Sequence, residues 1–117
     1  MNENVSVEKS FNFAVRIVNL YKYLTQEQKE YVMSKQLLRC GTSIGANVSE
    51  AQRGQSIADF ASKMNIALKE ANEAEYWLRL LHKTEYLSEA QFESVYCDIQ
   101  ELLGILIAIC RTSNAKK

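Results

Sequence analysis

Not one of the 117 residues is proline. Nothing in the chain therefore deletes a backbone donor or forces a kink, and long uninterrupted helices are open to it. The apolar residues follow helical periodicity almost throughout, and no stretch alternates as a half-buried strand does. The pattern predicts one all-α domain over residues 1–117, an antiparallel up-down-up-down four-helix bundle. Its helices are expected at about 7–24, 26–53, 57–84 and 89–111.

The first helix carries two apolar stripes, Phe11, Ala14, Val15, Val18 and Tyr21 beside Phe13, Ile17, Leu20 and Leu24, an arc wider than one bundle core requires. Thr25, followed by Glu27 and Gln28, has the chemistry of an N-cap and first turn for the second helix. That helix would turn Val32, Leu37, Cys40, Ile44, Val48 and Ala51 inward and end at Gly54. Ser56 and Asp59 form a capping pair ahead of the stripe Ile57, Phe60, Ala61, Met64, Ala67, Leu68, Ala71, Leu78 and Leu81. Ser88 and Gln91 form another ahead of Phe92, Val95, Tyr96, Ile99, Leu102, Leu103, Leu106 and Cys110. The expected core is Val18, Leu37, Ile44, Val48, Phe60, Met64, Leu68, Leu78, Val95, Ile99, Leu102 and Leu106. Phe13, Ile17, Leu20, Ile105 and Ile107 are left as surplus apolar surface, which predicts a homo-oligomer.

Several function classes drop out on composition and spacing. Fourteen basic side chains balance fourteen acidic ones, so no global positive field holds nucleic acid. Cys40, Cys97 and Cys110 lack metal-ligand spacing and read as reduced core thiols. His82 is the one histidine; Arg79 stands three residues before it, so the Glu-x-x-His ligands of di-iron bundles are missing. A lone histidine at a helix end has no partner group for hydrolase chemistry, and the glycines at 41, 45, 54 and 104 make no phosphate-cradling loop. A polar start bearing Glu3 and Glu8, with no apolar run long enough to span a bilayer, predicts a cytoplasmic protein without a membrane anchor. Lys116 and Lys117 read as a frayed basic tail.

One arrangement of carboxylates suits an enzyme. Glu70 and Glu73 on the third helix, with Asp98 and Glu101 on the fourth, have the i, i+3 spacing by which an all-α nucleotide pyrophosphohydrolase assembles Mg²⁺ ligands; solvated helix faces share that spacing. Gly41 and Gly45 are a second oddity. Each costs a helix roughly 1 kcal/mol relative to alanine, a cost tolerated where another backbone comes close. Asn47, Glu50 and Arg53 follow on a flank of the same helix, and their expected partners are Lys69, Glu70 and Glu73.

Ser43-Ile44-Gly45-Ala46-Asn47-Val48-Ser49-Glu50 with Arg53, and then Ile66-Ala67-Leu68-Lys69-Glu70-Ala71 through Glu73, Tyr76-Trp77-Leu78 and Leu80-Leu81, together resemble a known pattern. It is that of the four-helix bundle family whose first members are encoded in intervening sequences within bacterial 23S rRNA genes. The likeness runs from about Phe11 to Cys110. It implies a ring-like homopentamer in bacterial cytoplasm, without known catalytic activity, and no cofactor is expected. A related branch, the accessory proteins of diversity-generating retroelements, uses a basic surface to bind nucleic acid and a reverse transcriptase.

The expected function is accordingly that of a non-enzymatic oligomer that binds RNA or a nucleic-acid-bound protein. A pure structural scaffold and a Mg²⁺-dependent pyrophosphohydrolase are the alternatives. Ring symmetry repeats a few basic residues around an axis, so a neutral chain can still present a concentrated positive surface. Arg16, Lys22, Lys35 and Arg39 are the candidate phosphate contacts.

Overall fold

The computed structural model describes residues 5–116. Glu3 and Lys117, on which the readings of the two termini partly rest, lie outside them. Four helices follow one another, α1 (Val5–Gln26), α2 (Met33–Ala51), α3 (Ile57–Lys83) and α4 (Glu89–Lys116), with no strand among the described residues. The protein is an all-α four-helix bundle. Each helix packs on its neighbours in sequence, and α1 also packs on α4.

Side-chain register gives the sense of each pair. Gly41 lies against Ile17 and Gly45 against Ser10; Arg39 reaches Glu73 and Lys63 reaches Glu50; Tyr96 reaches Glu75 and Asn114 reaches Asn65. In every pair, numbers rise along one helix as they fall along the other, so sequential neighbours run antiparallel. No described helix is long and apolar enough to cross a membrane.

Two helix starts follow their sequence signals. The Ser56 hydroxyl accepts the Asp59 N–H at 3.0 Å, and the Asp59 carboxylate accepts the Gln55 N–H at 3.1 Å. Ser88 and Gln91 satisfy each other reciprocally, at 3.1 Å and 2.8 Å, the geometry of a capping box. The start of α2 differs from expectation. Thr25 belongs to α1, where its hydroxyl donates back to the Tyr21 carbonyl at 2.9 Å, and α2 begins only at Met33. Its cap is Glu30, a buried carboxylate that accepts the backbone N–H groups of Val32, Met33 and Ser34 at 3.1, 2.9 and 2.7 Å. Burial pushes the Glu30 carboxyl up, but those three donors and the Ser34 side chain outweigh it and hold the group below the ordinary glutamate range. Lys29, at φ 56°, makes the turn that aims it. At the other margins, α2 stops at Ala51, short of 53, and α4 continues to Lys116, so Lys116 is helical.

The core is one cluster running the length of the bundle. Leu37, Ile44, Val48, Met64, Leu78, Val95, Ile99, Leu102 and Leu106 are buried as expected, while Phe60 and Leu68 are partly buried and pack on its edge. Helix α1 reverses its reading. Phe13, Ile17 and Leu24 face inward with the buried Ser6 and Ser10, and it is the other stripe that faces out: Phe11 is 67%, Val15 46% and Val18 37% exposed. Val32 is exposed in the turn before α2, and Cys97 is exposed on α4, whereas Cys40 and Cys110 are buried. Burial pushes the Cys40 thiol up to about 12, so it is protonated at neutral pH.

The two glycines of α2 mark a close approach of α1 and α2. A Cβ on Gly41 would stand 2.9 Å from Ile17 Cγ2, and one on Gly45 would stand 3.2 Å from the Ser10 carbonyl oxygen. Only a missing side chain lets α1 and α2 come so near.

Candidate functional site

The polar residues of the sequence motif do not pair with one another across α2 and α3; Glu50, Glu70 and Glu73 find partners outside it. Arg39 Nη2 lies 2.6 Å from Glu73 Oε2, and its Nη1 lies 3.4 Å from Glu70 Oε1. The same Glu73 oxygen accepts the Trp77 indole N–H at 3.2 Å, one helical turn further along α3. Hydrogen bonds from Arg39 and then Trp77 hold the Glu73 carboxyl below its ordinary range. Asn47 instead donates to the Ser43 carbonyl of its own helix at 2.9 Å, and Glu50 pairs with Lys63 at 3.1 Å. Arg53 and Lys69 are exposed. Glu70 and Glu73 thus serve Arg39 rather than the Asn47, Glu50 and Arg53 flank, because the antiparallel register sets position 39 beside position 73.

The four candidate phosphate contacts divide into two kinds. Arg16 Nη1 lies 2.6 Å from Asp98 Oδ2, and its Nη2 donates to the Ser94 hydroxyl at 2.8 Å. Arg16 and Arg39 are therefore already engaged by carboxylates. Lys22 and Lys35 are exposed and make no ion pair among the described residues. The antiparallel register of α1 and α2 carries both to the end of the hairpin where the chain turns through Lys29.

The four carboxylates of the metal reading separate. Glu70 and Glu73 turn to Arg39 on α2, while Asp98 and Glu101 turn to Arg16 and Lys9 on α1, at 2.6 and 3.2 Å. Among the described residues no group of three or more His, Cys, Asp or Glu side chains is placed to hold a metal ion. Convergence around one cation, which the pyrophosphohydrolase reading requires, is not the geometry of this bundle. His82 is not an isolated surface group: its Nε2 lies 2.9 Å from Glu89 Oε1, and its ring stacks on Phe92. The sequence sets Phe92 and Tyr96 on the apolar stripe of the fourth helix and gives His82 no neighbour. Their i, i+4 spacing directly after a short α3–α4 turn was the available signal.

The outer face of α1 is the other distinctive surface. Phe11, Val15 and Val18 stand at i, i+4 and i+7, one continuous helical stripe, and all three are exposed. Ile107 on α4 is also exposed, and Gly104, one turn before it, has open space where a Cβ would be. A cleft of about 660 Å³, lined by none of these residues, lies between the α2–α3 turn and the C-terminal part of α4, with Ile57, Phe60 and Ile109 in its wall.

A family model described as 23S rRNA-intervening sequence protein matches residues 2–108. Among solved structures, the chain is similar to a crystal structure described as a protein with unknown function from the S23 ribosomal protein family of Bacteroides thetaiotaomicron VPI-5482. The two share 61% sequence identity and superpose with a TM-score of 0.92, over 95% of this chain and 99% of that one. No curated protein matches the chain.

Proposed function

The chain belongs to the 23S rRNA-intervening sequence protein family, and from that premise we propose that it is a non-enzymatic, self-assembling helical protein. It forms a cyclic homopentamer in the bacterial cytoplasm. The observation that carries this reading is the exposed stripe Phe11, Val15 and Val18 on α1. Leaving such a stripe in water forgoes about 25 cal/mol for every Å² of apolar surface that a neighbouring subunit would cover. Cyclic closure covers it in every copy, with no open edge. Light scattering at micromolar concentration is the test. The wild-type chain is expected to return five times the monomer mass and Val15→Glu the monomer mass, with helical content unchanged. A monomeric wild-type chain overturns the reading.

The assembled ring engages RNA or a nucleic-acid-bound partner through Lys22 and Lys35. What favours these two over Arg16 and Arg39 is that no carboxylate pairs with them among the described residues. Phosphate contacts release counterions, so binding of a single-stranded RNA must fall steeply between low and moderate salt, and must fall again in a Lys22→Ala, Lys35→Ala variant. Binding indifferent to both leaves a structural scaffold as the better account.

A further inference from the structure

The α3–α4 turn gathers three rings into one stack. His82, in the last turn of α3, lies 4.1 Å from Phe92 between ring centroids, with the planes 6° apart; Phe92 lies 4.7 Å from Tyr96, at 28°. The outer rings are fixed by their polar edges. His82 Nε2 meets Glu89 at 2.9 Å, and the Tyr96 hydroxyl donates to Glu75 Oε2 at 2.8 Å. Beside the stack lies a groove of about 530 Å³, whose α3 wall is Tyr76, Arg79, Leu80 and Lys83, inside the size range of small-molecule sites.

Tyr76, Arg79 and Lys83 stand at i, i+3 and i+7, so one face of α3 presents a ring and two cations to the same space. Tyr76 is 56% exposed and lies edge-on to Trp77, 5.2 Å between centroids. Arg79 and Lys83 make no ion pair or side-chain hydrogen bond among the described residues, and no carboxylate lines the groove. Glu75 and Glu89 are both engaged by ring edges. A stack serving only to close the bundle would need neither the open ring nor the two unengaged cations. Together these line one groove with an exposed ring, an ordered aromatic stack and two cations, the combination that takes a planar base bearing a phosphate.

We propose that this groove binds a nucleoside monophosphate unit, with the base against Tyr76 and the aromatic floor and the phosphate held by Arg79 and Lys83. The unit is either free or part of a single strand. This site is separate from Lys22 and Lys35 and does not depend on the assembly reading.

Calorimetric titration of the full chain with AMP and UMP tests it, with a seven-nucleotide single-stranded RNA, inorganic phosphate and phenyl phosphate in parallel. AMP or UMP is expected to bind at least about tenfold tighter than inorganic phosphate. Tyr76→Ala is expected to weaken that binding about tenfold, as loss of one base-stacking partner does. Arg79→Gln with Lys83→Gln is expected to weaken it and flatten its salt dependence. All three side chains are exposed, and circular dichroism confirms that each variant folds. An oligonucleotide that binds tighter than either mononucleotide identifies the strand as the source, and equal or weaker binding identifies the free nucleotide. The Lys22→Ala, Lys35→Ala variant is expected to keep mononucleotide binding whatever it does to RNA, which separates the two proposals. No saturation by AMP or UMP overturns the assignment, as does affinity unchanged by these substitutions. Phenyl phosphate binding as tightly as AMP also overturns it and points to a phosphotyrosine peptide.

Discussion

Arg39 Nη2 stands 2.6 Å from a Glu73 carboxylate oxygen that also accepts the Trp77 indole at 3.2 Å, so one acceptor ties α2 to α3 and fixes an aromatic side chain. Arg39 is half exposed, and pairs of that kind are worth about 0–1 kcal/mol. Arg39→Ala should therefore cost little stability. Its clearer effect is on titration: without the Arg39 guanidinium, the Glu73 carboxyl should move back up toward the ordinary range. Carboxyl NMR chemical shifts followed against pH measure this, and an unmoved Glu73 would mean that Trp77 alone sets it.

Glu30 carries a larger stake, because its carboxylate satisfies three N–H groups of α2 from a buried position. Glu30→Ala should lower stability by about 1–3 kcal/mol, the cost of a lost cap and buried donors left without partners. The folded-state value is depressed relative to the unfolded chain. Its contribution is thus fully present above the ordinary glutamate range, near 4.3, and is lost as pH falls through the lower folded value. Glu30→Gln should show a shallower acid dependence in urea melts at pH 3 to 6.

Two glycine-to-alanine changes should have opposite signs. At Gly41 the new methyl meets Ile17 at 2.9 Å and 3.0 Å, and Ile17 is fully buried. Overpacking of about 1–3 kcal/mol should exceed the helix-propensity gain of about 1 kcal/mol. At Gly104 nothing lies within 4 Å, so the subunit should gain about 1 kcal/mol. Thermal melts of both variants decide it. Equal effects would contradict the close approach of α1 and α2.

The C-terminus of α3 offers a stabilising change. Glu85 N–H bonds to the His82 carbonyl and Tyr86 N–H to the Leu81 carbonyl, both near 3 Å, with Glu85 at φ 72°. This is a Schellman motif with a side chain where glycine is preferred. Glu85→Gly should raise stability by about 1 kcal/mol by relieving the left-handed conformation. An unchanged denaturation midpoint would mean that the side chain compensates.

Much of the fold was legible because its signals are local. Ser56 with Asp59 and Ser88 with Gln91 act within one turn, and the α3 stripe needs only its own periodicity. Helix α1 was misread because its inward stripe includes Ser6 and Ser10, which hydropathy counts as polar, whereas the outward stripe is Phe11, Val15 and Val18. Small size opposite Gly45, not apolar character, is what packing selected there. The α2 cap was missed since glutamate is an uncommon cap and Lys29 an uncommon residue at positive φ. Arg39 with Glu73, and His82 with Phe92, depend on the register between helices, which spacing along one helix does not contain.

Cys97 is the exposed thiol of a chain whose other two cysteines are buried. Each chain consequently carries one chemically addressable thiol, built in without engineering. A thiol-reactive dye added to the native protein should attach once per chain, on the outer surface of α4. The number of bleaching steps in a single labelled particle then tests the proposed assembly directly: five for a pentamer, one for a monomer.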